Sequence, residues 1–179
     1  MQRRNFIQSL ASVPLITSVG IAKANPIIKP TRLKMGDTIG LVCPAGAAFS
    51  KEEVKITVES LQALGFKIKY GKRMWERYGY LAGKDADRAA DINEMFADSS
   101  VQGIVCVHGG WGCARLLPLL DYETIRKNPK VIVGYSDITA LLLGIHAQTG
   151  LVTMHGPVGS ATWNEFTVKY FRSVLMNGE

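Results

Sequence analysis

The stretch VIVGYSDITALLLGIHAQTG, residues 131–150, decides the fold. Its first four residues, VIVG, form a short apolar run that indicates a strand buried on both faces. After Tyr135, Ser136 and Asp137, apolar residues continue for about two to three helical turns, which predicts a buried helix. A strand that leads directly into a helix is part of a β-α-β unit. The joint between the two elements carries a lone serine, Ser136.

The same alternation of strand and helix patterns occurs upstream. TIGLVCPAGA, FKIKYG and VQGIVCVHGGWG are typical of strands, while residues 50–64 have apolar positions at helical spacing behind a capping box that begins at Ser50. Ala89, Ile92 and Phe96 form the apolar stripe of a second helix. This order predicts an α/β fold, with a mostly parallel sheet and helices on both faces.

Composition and charge restrict the class of protein. The chain has 179 residues, of which 47% are hydrophobic and 20% charged, as in a soluble globular domain. Its net charge is +6, but residues 1–24 contain three basic residues and no acid, so the rest carries only +3. Because this charge is small and dispersed, we expect no nucleic-acid partner.

Residues 1–24 are predicted to be an export signal. A basic start precedes the short apolar segment LASVPLITSVGIA and a small-x-small cleavage site, AKA, at residues 22–24. The apolar segment is too short to span a bilayer. RRNFI at residues 3–7 resembles a twin-arginine signal, although Gln2 and Gln8 depart from the usual pattern. We therefore expect a periplasmic or cell-envelope protein without a membrane span after signal removal; an ordinary secretory signal or an uncleaved anchor is the alternative.

Ser136 lies where an α/β protein places its ligands, beyond the carboxyl end of a strand. A serine on a sharp strand-to-helix turn exposes its hydroxyl, and the N–H of the next residue, Asp137, faces the reacting carbonyl. The helix that follows adds partial positive charge. Gly109 and Gly110, at the end of a neighbouring strand, could supply a second backbone donor. A nucleophile and two donors are the parts that acyl transfer needs.

Simpler interpretations of these motifs remain open at this point. Ser136 or Asp137 could serve only as a helix N-cap. The HGGWG loop could bind phosphate, but it lacks the Lys-Ser/Thr of a P-loop and the GxGxxG spacing.

The cysteines and a group of acids could also carry function. Cys43, Cys106 and Cys113 have no metal-ligand spacing and read as buried small residues; Cys106 and Cys113 could pair, or one of them could be an alternative nucleophile. Three acids at residues 85–91 lack the pattern of a calcium loop, so a helix start with ion pairs to Arg88 is the simpler explanation. No metal site is predicted.

Three longer motifs resemble one family. GYLAGKDADRAADINEMFAD, HGGWGCARLLPLLDYETIRKNPKVIVGYSDITALLL and GLVTMHGPVG occur in the order found in LD-carboxypeptidases, serine peptidases of the muramoyl-tetrapeptide carboxypeptidase and microcin-immunity type. The resemblance implies that Ser136 is the nucleophile and that Asp137 and Gly109 or Gly110 form the oxyanion hole with their N–H groups. It implies an N-terminal domain similar to class I glutamine amidotransferases, no metal and no organic cofactor.

The chain departs from the family pattern in two respects. His108 and Trp111 stand where the family often has arginine and tyrosine; with His155 they are the expected substrate contacts. The resemblance also implies that the activating histidine and glutamate lie in a C-terminal domain, and no motif after His155 matches them. His146 is expected about 15 Å from Ser136 along its helix. We therefore expect an incomplete enzyme.

The resulting prediction has three segments: a signal at residues 1–24, an α/β nucleophile domain at residues 25–165, and the start of a linker to an absent C-terminal domain at residues 166–179. The predicted function is serine carboxypeptidase activity on the L,D-peptide bond to a terminal D-amino acid of a cell-wall muropeptide. The alternative is an inactive peptide-binding or structural domain. The expected partner is a small peptide or muropeptide, and a homodimer remains open.

Overall fold

The computed structural model describes residues 25–48 and 50–178, and it confirms the predicted α/β fold. All strand pairings in its five-stranded sheet are parallel. The strands are β1 (Thr38–Val42), β2 (Lys67–Tyr70), β3 (Gly103–Cys106), β4 (Val131–Gly134) and β5 (Met154–His155). The helices are α1 (Lys51–Ala63), α2 (Asp85–Ala97), a 3₁₀ helix (Cys113–Leu119), α3 (Tyr122–Lys127), α4 (Ile138–Thr149), α5 (Glu165–Arg172) and a π-helical turn (Ser173–Asn177). The predicted export signal lies outside the described residues.

The central strands are apolar on both faces because helices cover both sides of the sheet. In β3, Ile104 and Cys106 pack into one core cluster with residues of α2 and α4. Val105, between them, points to the opposite face and joins the second cluster, which includes residues of α1 and α5. Alternate residues therefore enter different cores, which explains why the strand has no polar face.

The sheet order is β2-β1-β3-β4-β5, so the chain reverses its direction of travel between β1 and β3. Such a switch point opens a crevice at the carboxyl ends of the two strands, where α/β proteins bind ligands. The loops that follow β1 and β3 meet in this crevice, where Gly46 N–H donates to the Gly109 carbonyl over 3.0 Å. Ser136 follows the next strand, β4, at the same edge.

Local signals account for several of the helix ends. Ser50 caps α1 by accepting a hydrogen bond from Glu53 N–H at 3.1 Å, as its part of the capping box predicts. Gly150 ends α4 with φ +81°, a left-handed conformation that favours glycine. The short helix α3 was not predicted from the sequence; Asp121 caps it through Thr124 N–H at 2.9 Å.

Residues 165–177 are helical and pack against the rest of the domain. Phe171 and Leu175 are buried in the second core cluster, and Leu33 N–H donates to the Leu175 carbonyl over 2.9 Å. The predicted domain boundary after residue 165 stays a prediction. Among residues 25–48 and 50–178, no helix combines the length and apolarity needed to cross a bilayer.

Candidate active site

Ser136 is held in an unusual backbone conformation at the turn between β4 and α4. Its φ is +62°, and among the described residues it is the only non-glycine residue with a positive φ. A non-glycine residue in this left-handed region typically costs about 1–3 kcal/mol, and such residues cluster at functional sites. The side chain is exposed. The turn therefore presents the Ser136 hydroxyl at the carboxyl edge of the sheet.

The glycine loop after β3 lies directly against this serine. A methyl group added at Gly109 would lie 3.2 Å from Ser136 Cβ and 3.5 Å from its Oγ, and 3.8 Å from the Tyr135 carbonyl oxygen. Only a residue without a side chain leaves this space open. The structure thus brings together Ser136 and Gly109, two residues predicted to belong to one site.

A second glycine holds the loop close to the segment that follows β1. Gly110 has φ +125°, and a methyl group there would lie 2.9 Å from Gly46 N. The Gly46 N–H donates to the Gly109 carbonyl, so the backbone of the glycine loop is fixed from the β1 side. Both the positive φ and the close backbone approach require glycine at position 110.

The structure does not bear out the alternative in which the Asp137 side chain caps helix α4. Asp137 occupies the N-cap position of α4 but makes no capping hydrogen bond with its side chain. Its carboxylate instead accepts a hydrogen bond from the Cys113 N–H over 2.8 Å, at the far end of the glycine loop. This contact was not predictable from local patterns, because 24 residues separate the partners.

His108 is oriented by a carboxylate from helix α1. Its Nδ1 lies 3.2 Å from Glu53 Oε1, and both side chains are mostly buried. A methyl group at Gly46 would touch the His108 ring at Cδ2, 3.2 Å away, so the ring borders the crevice between the loops. Trp111, at the tip of the glycine loop, is 74% exposed. Glu53 was not singled out as a site residue from the sequence.

His155 ends β5 on the other side of Ser136. Its ring lies beside that of Tyr135, with centroids 6.4 Å apart, and both side chains are exposed. They line a cavity of about 420 Å³ together with Phe166 and Tyr170 of α5. This cavity begins at the residue before the serine, and aromatic side chains form part of its wall.

His146 is at the opposite end of α4 from Ser136. It lies in the last turn of the helix, where its Nδ1 is 2.9 Å from the Leu151 carbonyl oxygen. The expected separation from the serine is thus consistent with the helix length.

All three cysteines are free thiols and buried, as predicted for small core residues. Desolvation raises the pKa of Cys43 to about 12 and raises the pKa values of Cys106 and Cys113 further. Because a nucleophile needs accessible thiolate, Cys106 and Cys113, both fully buried, do not suit the alternative role.

The acidic cluster at the start of α2 forms ion pairs. Arg88, whose side chain is fully buried, pairs with Asp85, and Arg115 binds the other Asp85 oxygen at 2.7–2.8 Å. Asp91 instead pairs with Arg73 at 3.1 Å. The described part of the chain contains no group of three or more His, Cys, Asp or Glu side chains arranged to hold a metal ion. The sequence signal for the buried guanidinium of Arg88 is its position next to Ala89, in the apolar stripe of the helix.

A second cavity lies on the β1 side of the site, and three exposed aromatic residues occur in the nearby loop. Trp75, Tyr78 and Tyr80 are all more than half exposed. Trp75 lines a cavity of about 700 Å³ with Arg77, whose Nη2 donates to the Ala48 carbonyl over 2.8 Å. Ala47, which follows Gly46, also lines this cavity.

Comparisons with known proteins place the chain in one family. The sequence model of the LD-carboxypeptidase N-terminal domain matches residues 39–156. A probable murein peptide carboxypeptidase of Bacillus subtilis is 45% identical over 130 residues, which are 73% of this chain and 40% of that protein. The microcin C7 self-immunity protein MccF of Escherichia coli is 42% identical over 127 residues, 70% of this chain and 37% of that protein.

A solved structure supports the same relationship. The MccF-like protein from Bacillus anthracis superposes with a TM-score of 0.79 at 37% identity, covering 83% of this chain and 47% of that one. The chain thus spans less than half the length of each of these relatives. The matched region contains β1 to β5 nearly complete, together with the Ser136 turn and the glycine loop, and the chain belongs to the LD-carboxypeptidase family through its N-terminal domain.

Proposed function

We propose that this chain carries the nucleophile of a serine carboxypeptidase that releases a terminal D-amino acid from a murein peptide by cleaving an L,D-peptide bond. The observation that carries the proposal is the strained, exposed Ser136 packed against Gly109 at the carboxyl edge of the sheet. Relatives named as murein peptide and murein tetrapeptide carboxypeptidases support the substrate class.

The proposed reaction is acyl transfer through a covalent intermediate. Ser136 Oγ attacks the scissile carbonyl carbon as its proton passes to a base, and the carbonyl oxygen becomes an oxyanion. The N–H groups of Asp137 and of Gly109 or Gly110 donate to that oxygen, where one such donor is typically worth about 10²–10³ in rate. Collapse expels the D-amino acid with a proton on its amine, and water then hydrolyses the acyl-enzyme.

The serine needs a base to act as a nucleophile near neutral pH. The family resemblance implies that this base is a histidine supported by a glutamate in a C-terminal domain. Assays of the proposal are therefore made on the complete polypeptide that the gene encodes.

Substrate contacts are proposed on both sides of the serine. His108, held by Glu53, and Trp111 border the glycine loop, whereas His155 opens into the cavity of about 420 Å³. A carboxypeptidase must recognise a free terminal carboxylate, and an imidazole is a suitable donor for it. We propose that His108 takes this role in place of the arginine common in the family.

The MccF relatives favour a second candidate substrate. A solved MccF structure, 36% identical to this chain, contains aspartyl sulfamoyl adenosine. The acyl-transfer chemistry would be the same: the aminoacyl group would be transferred to Ser136, and the leaving group would be a sulfamoyl nucleoside in place of a D-amino acid. Comparing hydrolysis of an L,D-tetrapeptide with that of a peptidyl-nucleotide decides between the two.

The decisive experiment tests the nucleophile and the bond together. A fluorophosphonate probe should label Ser136, and Ser136→Ala should abolish both the labelling and the release of D-alanine from a tetrapeptide. Ser99→Ala is the matched control, because Ser99 lies before β3 at the opposite edge of the sheet. If the complete polypeptide is not labelled, the inactive peptide-binding alternative replaces the enzyme.

We also propose export of the protein, on the strength of the signal-like sequence of residues 1–24. The mature protein should begin at Asn25 in the periplasmic fraction, which mass spectrometry of its N-terminus checks. Replacing Arg3 and Arg4 by lysine should block export if the twin-arginine route is used. An intact N-terminus in the cytoplasm would contradict the proposal.

A further inference from the structure

One peptide group at the end of the glycine loop is held from both sides by charged side chains. The carbonyl oxygen of Gly112 accepts a hydrogen bond from Arg88 Nη1 at 3.4 Å. The N–H of Cys113, which belongs to the same peptide group, donates to Asp137 Oδ2 at 2.8 Å. A cation and an anion from distant parts of the chain therefore fix the two ends of one peptide dipole.

The cation lies beneath the loops that form the crevice. The Arg88 side chain is completely buried, and its guanidinium also donates to the Pro44 carbonyl and to the Asp85 carboxylate. Burying a charge is costly unless it is paired and hydrogen-bonded. Here one guanidinium links the loop after β1, through Pro44, with the loop after β3, through Gly112.

Glycine at position 112 makes this contact close. Gly112 has φ +102°, and a methyl group there would lie 3.4 Å from both Nη1 and Nη2 of Arg88. The backbone of the loop therefore packs directly on the guanidinium, so we expect a substitution of Arg88 to shift the loop.

The anion belongs to the residue that follows the serine. Because Asp137 does not cap α4, its carboxylate is available for Cys113. Its own backbone continues directly into the strained turn at Ser136. The Asp137 side chain thus links the serine turn directly to the glycine loop.

We propose that Arg88 and Asp137 are positioning residues, which clamp the Gly112–Cys113 peptide group and thereby hold Gly109 and Gly110 at the working distance from Ser136. The clamp rests on the proposed function, since it serves the oxyanion donors of the same reaction. Small misplacements of reacting groups cost on the order of 10²-fold in rate for about 1 Å. Loss of the clamp should therefore lower the rate at which Ser136 is modified more than it weakens the binding of the reagent.

The test uses fluorophosphonate inactivation of the complete polypeptide, with the maximal rate and the half-saturating concentration measured separately. Asp137→Ala should lower the maximal rate by about 10–100-fold with little change in half-saturation. Asp137→Asn keeps an oxygen that accepts the Cys113 N–H, so it should recover most of this loss. Arg88→Met should resemble Asp137→Ala, and the double variant should lose less than the product of the single losses.

Arg73→Met is the matched control. Arg73 forms an ion pair with Asp91, a buried residue of α2, the helix that also contains Arg88. This ion pair lies away from the glycine loop. Its loss should lower the melting temperature and leave the rate of inactivation unchanged. If Arg88→Met does not fold, the test is made with Asp137→Ala, Asp137→Asn and Arg88→Lys. Lysine keeps the positive charge but lacks the planar pair of donors of the guanidinium.

Hydrogen exchange of the Cys113 amide tests the clamp independently of the reaction. Asp137→Ala should speed this exchange even in a protein that reacts with no probe, because it removes the acceptor. If the unaltered protein is not labelled, the proposed function fails and amide exchange alone judges the clamp. If the unaltered protein is labelled and Asp137→Ala reacts at the same rate, or if the Cys113 amide exchanges no faster, the clamp is overturned.

Discussion

Replacing Gly109 by alanine should inactivate the site while leaving the fold intact. The new methyl group would lie 3.2 Å from Ser136 Cβ, closer than the roughly 3.5–4.0 Å of a good carbon–carbon contact. Gly109 is not among the glycines with positive φ, so its backbone can accept a side chain. Alanine also restricts the unfolded chain, which typically contributes about 0.4–1 kcal/mol of stability and offsets part of the crowding. We therefore expect the free energy of unfolding to change by no more than about 1 kcal/mol.

The effect on the reaction should be much larger. The methyl group would lie 3.5 Å from Ser136 Oγ, in the space that the acyl group and its oxyanion must enter. To relieve the contact, the loop or the serine must move by several tenths of an ångström. A shift of that size, together with a displaced backbone donor, should lower the rate of acylation on the order of 10²-fold or more.

Two measurements on one pair of variants check this reasoning. The rate of fluorophosphonate labelling and the urea unfolding curve are compared for Gly109→Ala and Gly36→Ala. Gly36 has φ +90° with open space around it, and it precedes β1 at the opposite edge of the sheet. Its replacement should cost about 1 kcal/mol of stability and leave labelling unchanged. Labelling of Gly109→Ala at the original rate would refute the assignment of the glycine loop to the site.

Three further predictions concern strain, thiols and pH. Ser136→Gly should be more stable than Ser136→Ala by about 1 kcal/mol or more in urea unfolding, because glycine accepts the positive φ. The three buried thiols should react slowly with a disulfide reagent at pH 8 and rapidly after unfolding, since desolvation raises their pKa values; rapid native reaction would contradict the packing. The hydrogen bond from Lys69 lowers the pKa of Asp98, so this stabilisation exists above the unfolded value of about 3.9 and is lost as pH falls through the lower folded value. The melting temperature of Lys69→Met should thus fall less between pH 6 and pH 2 than that of the unaltered protein.

The elements of the sheet were predictable because burial leaves a strong pattern. Strand β3 is apolar at every position, and the helices carry apolar residues at helical spacing. The order of the strands was not predictable from these patterns, since periodicity identifies a strand and not its neighbour. The short helix α3 was not predictable because Ile125 is its only buried residue, and a single apolar position forms no helical stripe.

The candidate site was predictable to the extent that it depends on local sequence. The strand-to-helix turn indicated an exposed serine, and the paired glycines indicated close backbone approach. The contacts of Glu53 with His108 and of Asp137 with Cys113 join segments far apart in sequence. Nothing in the spacing of these residues predicts which acid meets which partner, because the pairing follows from the sheet order.

The strain at Ser136 and the side-chain contact of Asp137 have one physical origin. A serine with φ +62° makes the chain turn sharply before α4 begins. The next residue then occupies the N-cap position with helical angles, φ −58° and ψ −25°, rather than the extended angles from which a side chain usually caps. Its carboxylate is therefore free to reach the Cys113 amide of the glycine loop. The same turn that exposes the hydroxyl also links it to the loop opposite. Relieving the strain with Ser136→Gly should consequently loosen that link, and faster hydrogen exchange at Cys113 in this variant than in Ser136→Ala would demonstrate it.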